Sequence, residues 1–283
     1  MSWKWAAVGF LLPAASLLLA AEATSTSHSQ YPLASGGRVQ VENRNGGVTI
    51  TGWDQNSVDI EAEKHGQTPE DLSQVKLEVQ SSPDAILIRT VRPENAHGGS
   101  GMSLRIKVPR HVILEHIASS NGAIAVAGIE GQAELATSNG PVRIEDFKGQ
   151  LRATTSNGPI DVRGLEAAAS SRLQLTTSNG PIEVALSSSP APEIHATTSN
   201  GPITLWLAGD VSAHLKASTS NGRISSDFEM TLPAGWHSNS SIEAKLGSGG
   251  NLLELRTSNA PIHIRRGTPK ETVSSRFFAH GPK

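Results

Sequence analysis

The chain has 283 residues, with 24 Lys and Arg against 26 Asp and Glu, a net charge of −2. That balance excludes a strongly basic nucleic-acid binder, and the absence of cysteine removes disulfides, thiolate metal sites and cysteine nucleophiles together. Hydrophobic residues are 37% and aromatics 4%, with 27 glycines, so a thin, repetitive core is expected rather than a wide one.

The chain opens like an export signal. Lys4 is followed by the apolar run from Ala6 to Leu19 and by Ala21-Glu22-Ala23. Charge, apolar run and small residues in that order predict a signal peptide over 1–23. The run is short for a span of about 20 residues, and no later run reaches about 18, so no transmembrane span is expected in the mature chain. The destination would be periplasm, cell surface or medium. Residues 24–35 are polar and read as a linker.

Residues 36–118 are irregular. Val39, Val41, Asn43, Asn45-Gly46-Gly47, Val48 and Ile50 form one early copy of a pattern that dominates later. Strand-like segments follow at Val58–Glu63, Val75–Val79, Ala85–Thr90 and Ser103–Val108. A short helix is predicted at Pro69–Ser73, with Thr68 as its N-cap. This region is expected to form wider rungs that cap a solenoid and hide its strand edges. His111 and His116, five apart on a strand, are expected on opposite faces.

Residues 119–226 repeat one phrase, Ser-Asn-Gly, usually with Thr before it and Pro after it. Its asparagines are Asn121, Asn139, Asn157, Asn179, Asn200 and Asn221, and Asn259 recurs farther on, with gaps of 18, 18, 22, 21, 21 and 38 residues. Three and five residues after each come apolar pairs such as Ile160 and Val162, or Ile182 and Val184. Before it, Leu173 and Leu175 alternate with Gln174. Period two on both sides of a fixed corner predicts strands with one dry face. Pro directly after the turn and head-to-tail copies argue against antiparallel hairpins. Eighteen residues at about 3.3 Å span a perimeter near 60 Å, enough to circle a narrow core once. The expected fold is therefore all-β: a single parallel β-solenoid with rungs of about 18–22 residues.

The same parity places Thr137, Thr155, Thr177, Thr198, Thr219 and Thr257, and the seven asparagines with them, inside, as stacked structural ladders. Residues 227–266 interrupt the period from Phe228 to Gly250 and return to it at Asn251–Ile264, expected to close the array. Residues 267–283 read as a tail.

The repeated Thr-Ser-Asn-Gly-x-Ile phrase, the Leu104-Arg105-Ile106-Lys107-Val108-Pro109 strand and the Gly-Ser-Gly-Gly then Thr257-Ser258-Asn259 ending together resemble the bacterial putative-adhesin β-strand-repeat family, a domain of unknown function, over about Gly36 to Arg265. The resemblance implies an elongated parallel β-solenoid at the cell envelope and no defined activity. Ala260 in place of Gly and Ser226 in place of an apolar residue depart from the pattern.

No nucleophile elbow, phosphate loop, zinc-binding helix or calcium nonapeptide is present, so no catalytic, cofactor or metal residues are predicted. Arg143, Asp161 and Glu183 share one outward position on consecutive rungs and are the outer-face candidates. A solvated face of mutually cancelling charges is the plainer account of that row. Ice binding is disfavoured, because the threonines point inward and only serines line up outside. The sequence therefore points to an exported, non-enzymatic scaffold that binds an envelope protein or a glycan, with no nucleic-acid partner. A polysaccharide lyase or hydrolase on a β-helix is the alternative.

Overall fold

A computed structural model describes residues 23–93, 99–165, 171–186, 191–207, 211–228 and 240–269. The chain runs through β1 (Ala23–Pro32), β2 (Arg38–Asn45), β3 (Val48–Trp53) and β4 (Ser57–Gly66). The helix α1 (Pro69–Gln74) follows, then β5 (Lys76–Ser81), β6 (Ala85–Val91), β7 (Gly101–Pro109) and β8 (His111–Asn121). Two long strands, β9 (Ile124–Thr137) and β10 (Val142–Thr155), lead into β11 (Ile160–Arg163), β12 (Arg172–Thr177), β13 (Ile182–Leu186), β14 (Glu193–Thr198) and β15 (Ile203–Leu207). The last five are β16 (Ala213–Thr219), β17 (Ile224–Ser226), β18 (Ser241–Leu246), β19 (Leu252–Thr257) and β20 (Ile262–Arg266).

These strands make the two broad faces of a flattened parallel solenoid. One face stacks β2, β8, the second halves of β9 and β10, β12, β14, β19 and β16, all parallel. The other stacks β3, the first halves of β9 and β10, β11, β13, β15, β20 and β17. Each rung crosses from the first face to the second at the Asn corner. Between the faces lies a core of mostly aliphatic side chains supplied by both. In the rung of β12 and β13, Leu173, Leu175, Ile182 and Val184 are fully buried, each contributing about 1.5–3 kcal/mol of apolar burial. The stack is open-ended, and antiparallel strands finish it: β4 and then β1 on one face, β5 on the other, and β18 at the far end. α1 is fixed by a capping box, in which the Asp71 amide donates to Thr68 Oγ1 at 3.3 Å and the Thr68 amide donates to Asp71 Oδ2 at 3.1 Å.

Several expectations change. Most of the segment 24–35 is strand rather than linker: β1 pairs along its whole length with β4, and its alternating Ser and Thr suit an exposed edge. The early copy around Asn45, 76 residues ahead of Asn121 in sequence, stacks directly on the Asn121 rung through β2 and β3. The Asn259 rung does not close the array. It sits between the Asn200 and Asn221 rungs, so that β19 pairs with both β14 and β16. A register shift between Leu114 and Ile117 adds one residue to β8, so Glu115 and His116 both escape burial and His116 shares the outer side with His111. Residues 1–22 of the expected signal peptide and 270–283 of the expected tail lie outside the described residues.

Candidate functional site

The repeated phrase divides its labour across the corner. The threonine is buried and its hydroxyl donates to the corner carbonyl one rung below: Thr137 to Gly122 and Thr155 to Gly140 at 3.0 Å, Thr177 to Gly158, Thr198 to Gly180 and Thr257 to Gly201 at 3.1 Å, and Thr219 to Ala260 at 2.9 Å. The corner glycines permit this stacking. A Cβ on Gly158, Gly180 or Gly201 would overlap the carbonyl oxygen of the glycine beneath, and none of these three has a left-handed backbone. Close approach, rather than turn geometry, therefore demands glycine here. At the departure Ala260, the amide of Ile203 donates to Pro261 O at 3.2 Å, against 2.9–3.0 Å at the other proline corners.

The asparagines lie outside, contrary to the inward parity expected of them. The backbone bends at the Ser-Asn step, so alternation ends at the threonine and the amides of Asn121, Asn139, Asn157, Asn179, Asn200, Asn259 and Asn221 are exposed. They still stack. Each Nδ2 donates to the Oδ1 of the rung below, at 2.7–2.9 Å, in the order Asn45, Asn121, Asn139, Asn157, Asn179, Asn200, Asn259, Asn221. Ser138, Ser156, Ser178, Ser199 and Ser220 are exposed beside them.

Just past the corner, on the second face, Arg143, Asp161 and Glu183 are Cα partners on neighbouring strands, each half-buried. With Pro141, Pro159 and Pro181 they line a shallow groove of about 230 Å³. Structure adds neighbours that the spacing did not reveal. Arg163 Nε donates to Asp161 Oδ1 at 2.8 Å, and Trp206 Nε1 donates to Glu183 Oε1 at 2.8 Å. Glu145, the register partner of Arg163, has its carboxyl raised above the usual range, first by burial and then by Asp146 and Asp161. Arg163 sits two residues past Asp161, and Trp206 two residues past Thr204, the register partner of Glu183, so a scan of outward positions one strand step farther would have found them.

A second cluster on the first face was missed because its members are far apart in sequence. His195 lies between two carboxylates, with Nε2 2.8 Å from Glu193 Oε1 and Nδ1 2.9 Å from Glu254 Oε2. Arg172 grips Glu193 with both Nε and Nη2, and Arg256 reaches Glu254. The Glu193 bond, then the Glu254 bond against some burial, raises the imidazole's proton affinity. Arg172 and His195 lower Glu193, and Arg256 and His195 lower Glu254. The network ties β12 and β14 to the out-of-sequence β19. Also on this face is a groove of about 480 Å³ bordered by Arg38, Gln132, Glu134, Gln150, Arg152 and Gln174.

Among the described residues no group of three or more His, Cys, Asp or Glu side chains could hold a metal ion, and no helix is long and apolar enough to cross a membrane.

A two-faced parallel solenoid with corner ladders and antiparallel caps defines the class. The chain belongs to the Toastrack DUF4097 family, whose model matches residues 23–265. Solved structures similar to it include a putative adhesin from Bacteroides fragilis NCTC 9343, at 12% identity and TM-score 0.43, covering 85% of this chain and 97% of that one. A putative lipid binding protein from Parabacteroides distasonis ATCC 8503 has 10% identity and TM-score 0.40, over 84% and 96%. A putative cell adhesion protein from Clostridium sporogenes ATCC 15579 has 9% identity and TM-score 0.36, over 86% and 100%. No curated protein matches the chain.

Proposed function

We propose that the protein is an exported, non-enzymatic scaffold that recruits an envelope protein or glycan along its outer faces. One observation supports this reading: outward side chains recur in register on consecutive rungs, as Arg143, Asp161 and Glu183 do. Contacts that are weak singly gain avidity when a partner meets several rungs at once. The pyrrolidine rings of Pro141, Pro159 and Pro181 beside charged groups suit a partner with both apolar and polar surface. The testing experiment is retention of envelope fractions by the immobilised protein. Specific retention that falls when Arg143, Asp161 and Glu183 are replaced by serine is expected. Retention no better than that of the triple variant would overturn the reading.

One observation favours the alternative of a glycan-active enzyme: the raised carboxyl of Glu145 lies near Asp161, a pairing of acid and carboxylate used in glycoside hydrolysis. Against it, Asp161 is already engaged by Arg163 and Glu183 by Trp206. Turnover of an envelope polysaccharide that disappears in Glu145→Gln would establish the enzyme, and equal product release from wild type and variant would dismiss it.

A further inference from the structure

Seven asparagines of this chain precede glycine: Asn45, Asn121, Asn139, Asn157, Asn179, Asn200 and Asn221. The small, unhindered glycine lets its backbone nitrogen reach the preceding side chain, which makes this dipeptide the most vulnerable one to amide loss. All but Asn45 are exposed to water. The ladder restrains them unequally. The five from Asn121 to Asn200 each donate through Nδ2 and accept through Oδ1, so Cγ is held from both sides. Asn179 and Asn200 are held further, because the attacking nitrogens of Gly180 and Gly201 donate to Thr177 and Thr198 Oγ1 at 3.2 Å. Asn45 has a long Nδ2 contact of 3.5 Å to Ser100 O, but Gly46 N is tied to Asn121 O at 3.1 Å. Asn221 is different. Among the described residues it ends the stack: it donates to Asn259 Oδ1 at 2.8 Å, and its own Oδ1 accepts from none of them.

We propose that Asn221 is a modification site of the folded protein, where spontaneous deamidation begins. The Gly222 backbone nitrogen loses its proton to solvent and bonds to Asn221 Cγ. The Cγ–Nδ2 bond breaks, the departing amide nitrogen takes up a proton and leaves as ammonia, and a cyclic imide remains. Water then adds at either imide carbonyl and opens the ring to isoaspartate or aspartate, with no change in oxidation state. Either product removes the Nδ2 donor and sets a carboxylate against Asn259 Oδ1, acceptor against acceptor, so the end rung of β16 and β17 loosens with age.

The test is incubation of the folded, full chain at mildly alkaline pH, followed by peptide mapping for the amide-to-acid mass change and for isoaspartate. Asn221 is expected to convert about fivefold faster than Asn121, Asn139 and Asn157, the worth of one net hydrogen bond. Asn179 and Asn200 should be slowest, and in concentrated urea all six of these sites should converge. Equal rates in the folded protein, a faster interior site, or a rank order that survives urea would overturn the proposal. So would aspartate without isoaspartate at 221, which would bypass the imide.

Discussion

Thr177 shows how much one side chain carries. Its hydroxyl donates to Gly158 O at 3.1 Å, accepts from Gly180 N at 3.2 Å, and is 2% exposed. Thr177→Val keeps the shape but strands two buried backbone groups, and should cost about 1–3 kcal/mol in urea unfolding, with Thr177→Ser recovering most of it. Gly158→Ala should be more damaging, because the new methyl meets the Gly140 carbonyl rather than a flexible side chain. A soluble Gly158→Ala protein with an unshifted denaturation midpoint would contradict the close-packed corner. At this scale the threonine was legible, since Leu173, Leu175 and Thr177 alternate in step. The outward asparagine was not, because parity holds only along a straight strand and the backbone turns between Thr177 and Asn179.

At the scale of strands, the clasp around His195 makes the joint between β14 and β19 sensitive to pH. The imidazole's affinity for its proton is raised in the folded chain, so its contribution is complete below the ordinary histidine pKa of about 6.5 and is lost as pH climbs through the folded value. Glu193 and Glu254 are lowered, so theirs is present above the ordinary carboxyl range and lost as pH falls through their folded values. The joint is firmest between these limits. Raising the pH from about 6 to about 9 should lower the melting temperature of wild type more than that of His195→Gln. Parallel shifts in the two proteins would remove the clasp from the account of stability. The regular strands and α1 were legible from alternation and from Thr68. The clasp was not, since Glu254 lies 59 residues from His195. Nor was β1, whose Ser and Thr carry no apolar alternation to betray an edge strand paired on one side only.

At the scale of the molecule, the order of rungs is the chief surprise. Every copy carries the same phrase, so nothing local distinguishes a neighbour in sequence from a neighbour in space, and the period alone predicted that Asn259 would follow Asn221. The absence of native cysteine allows a direct test. Thr197 and Arg256 are register partners on adjacent parallel strands, and Arg256 in turn partners Ser218. Adjacent strands lie about 4.8 Å apart, within disulfide reach, and strands two apart do not. The double variant of Thr197→Cys with Arg256→Cys should oxidise readily within one molecule, and Thr197→Cys with Ser218→Cys should not. The opposite pattern would restore sequential stacking.

The interleaving at both ends has a consequence for how such a rod could grow. The Asn45 rung and the Asn259 rung, nearest the two termini in sequence, are each tucked one place inward, covered by β6 with β7 and by β16 with β17 respectively. Copies appended to either terminus would therefore meet a finished cap instead of a waiting rung. Duplication of a unit between Asn139 and Asn200 would add about 4.8 Å of length per copy and leave both caps undisturbed.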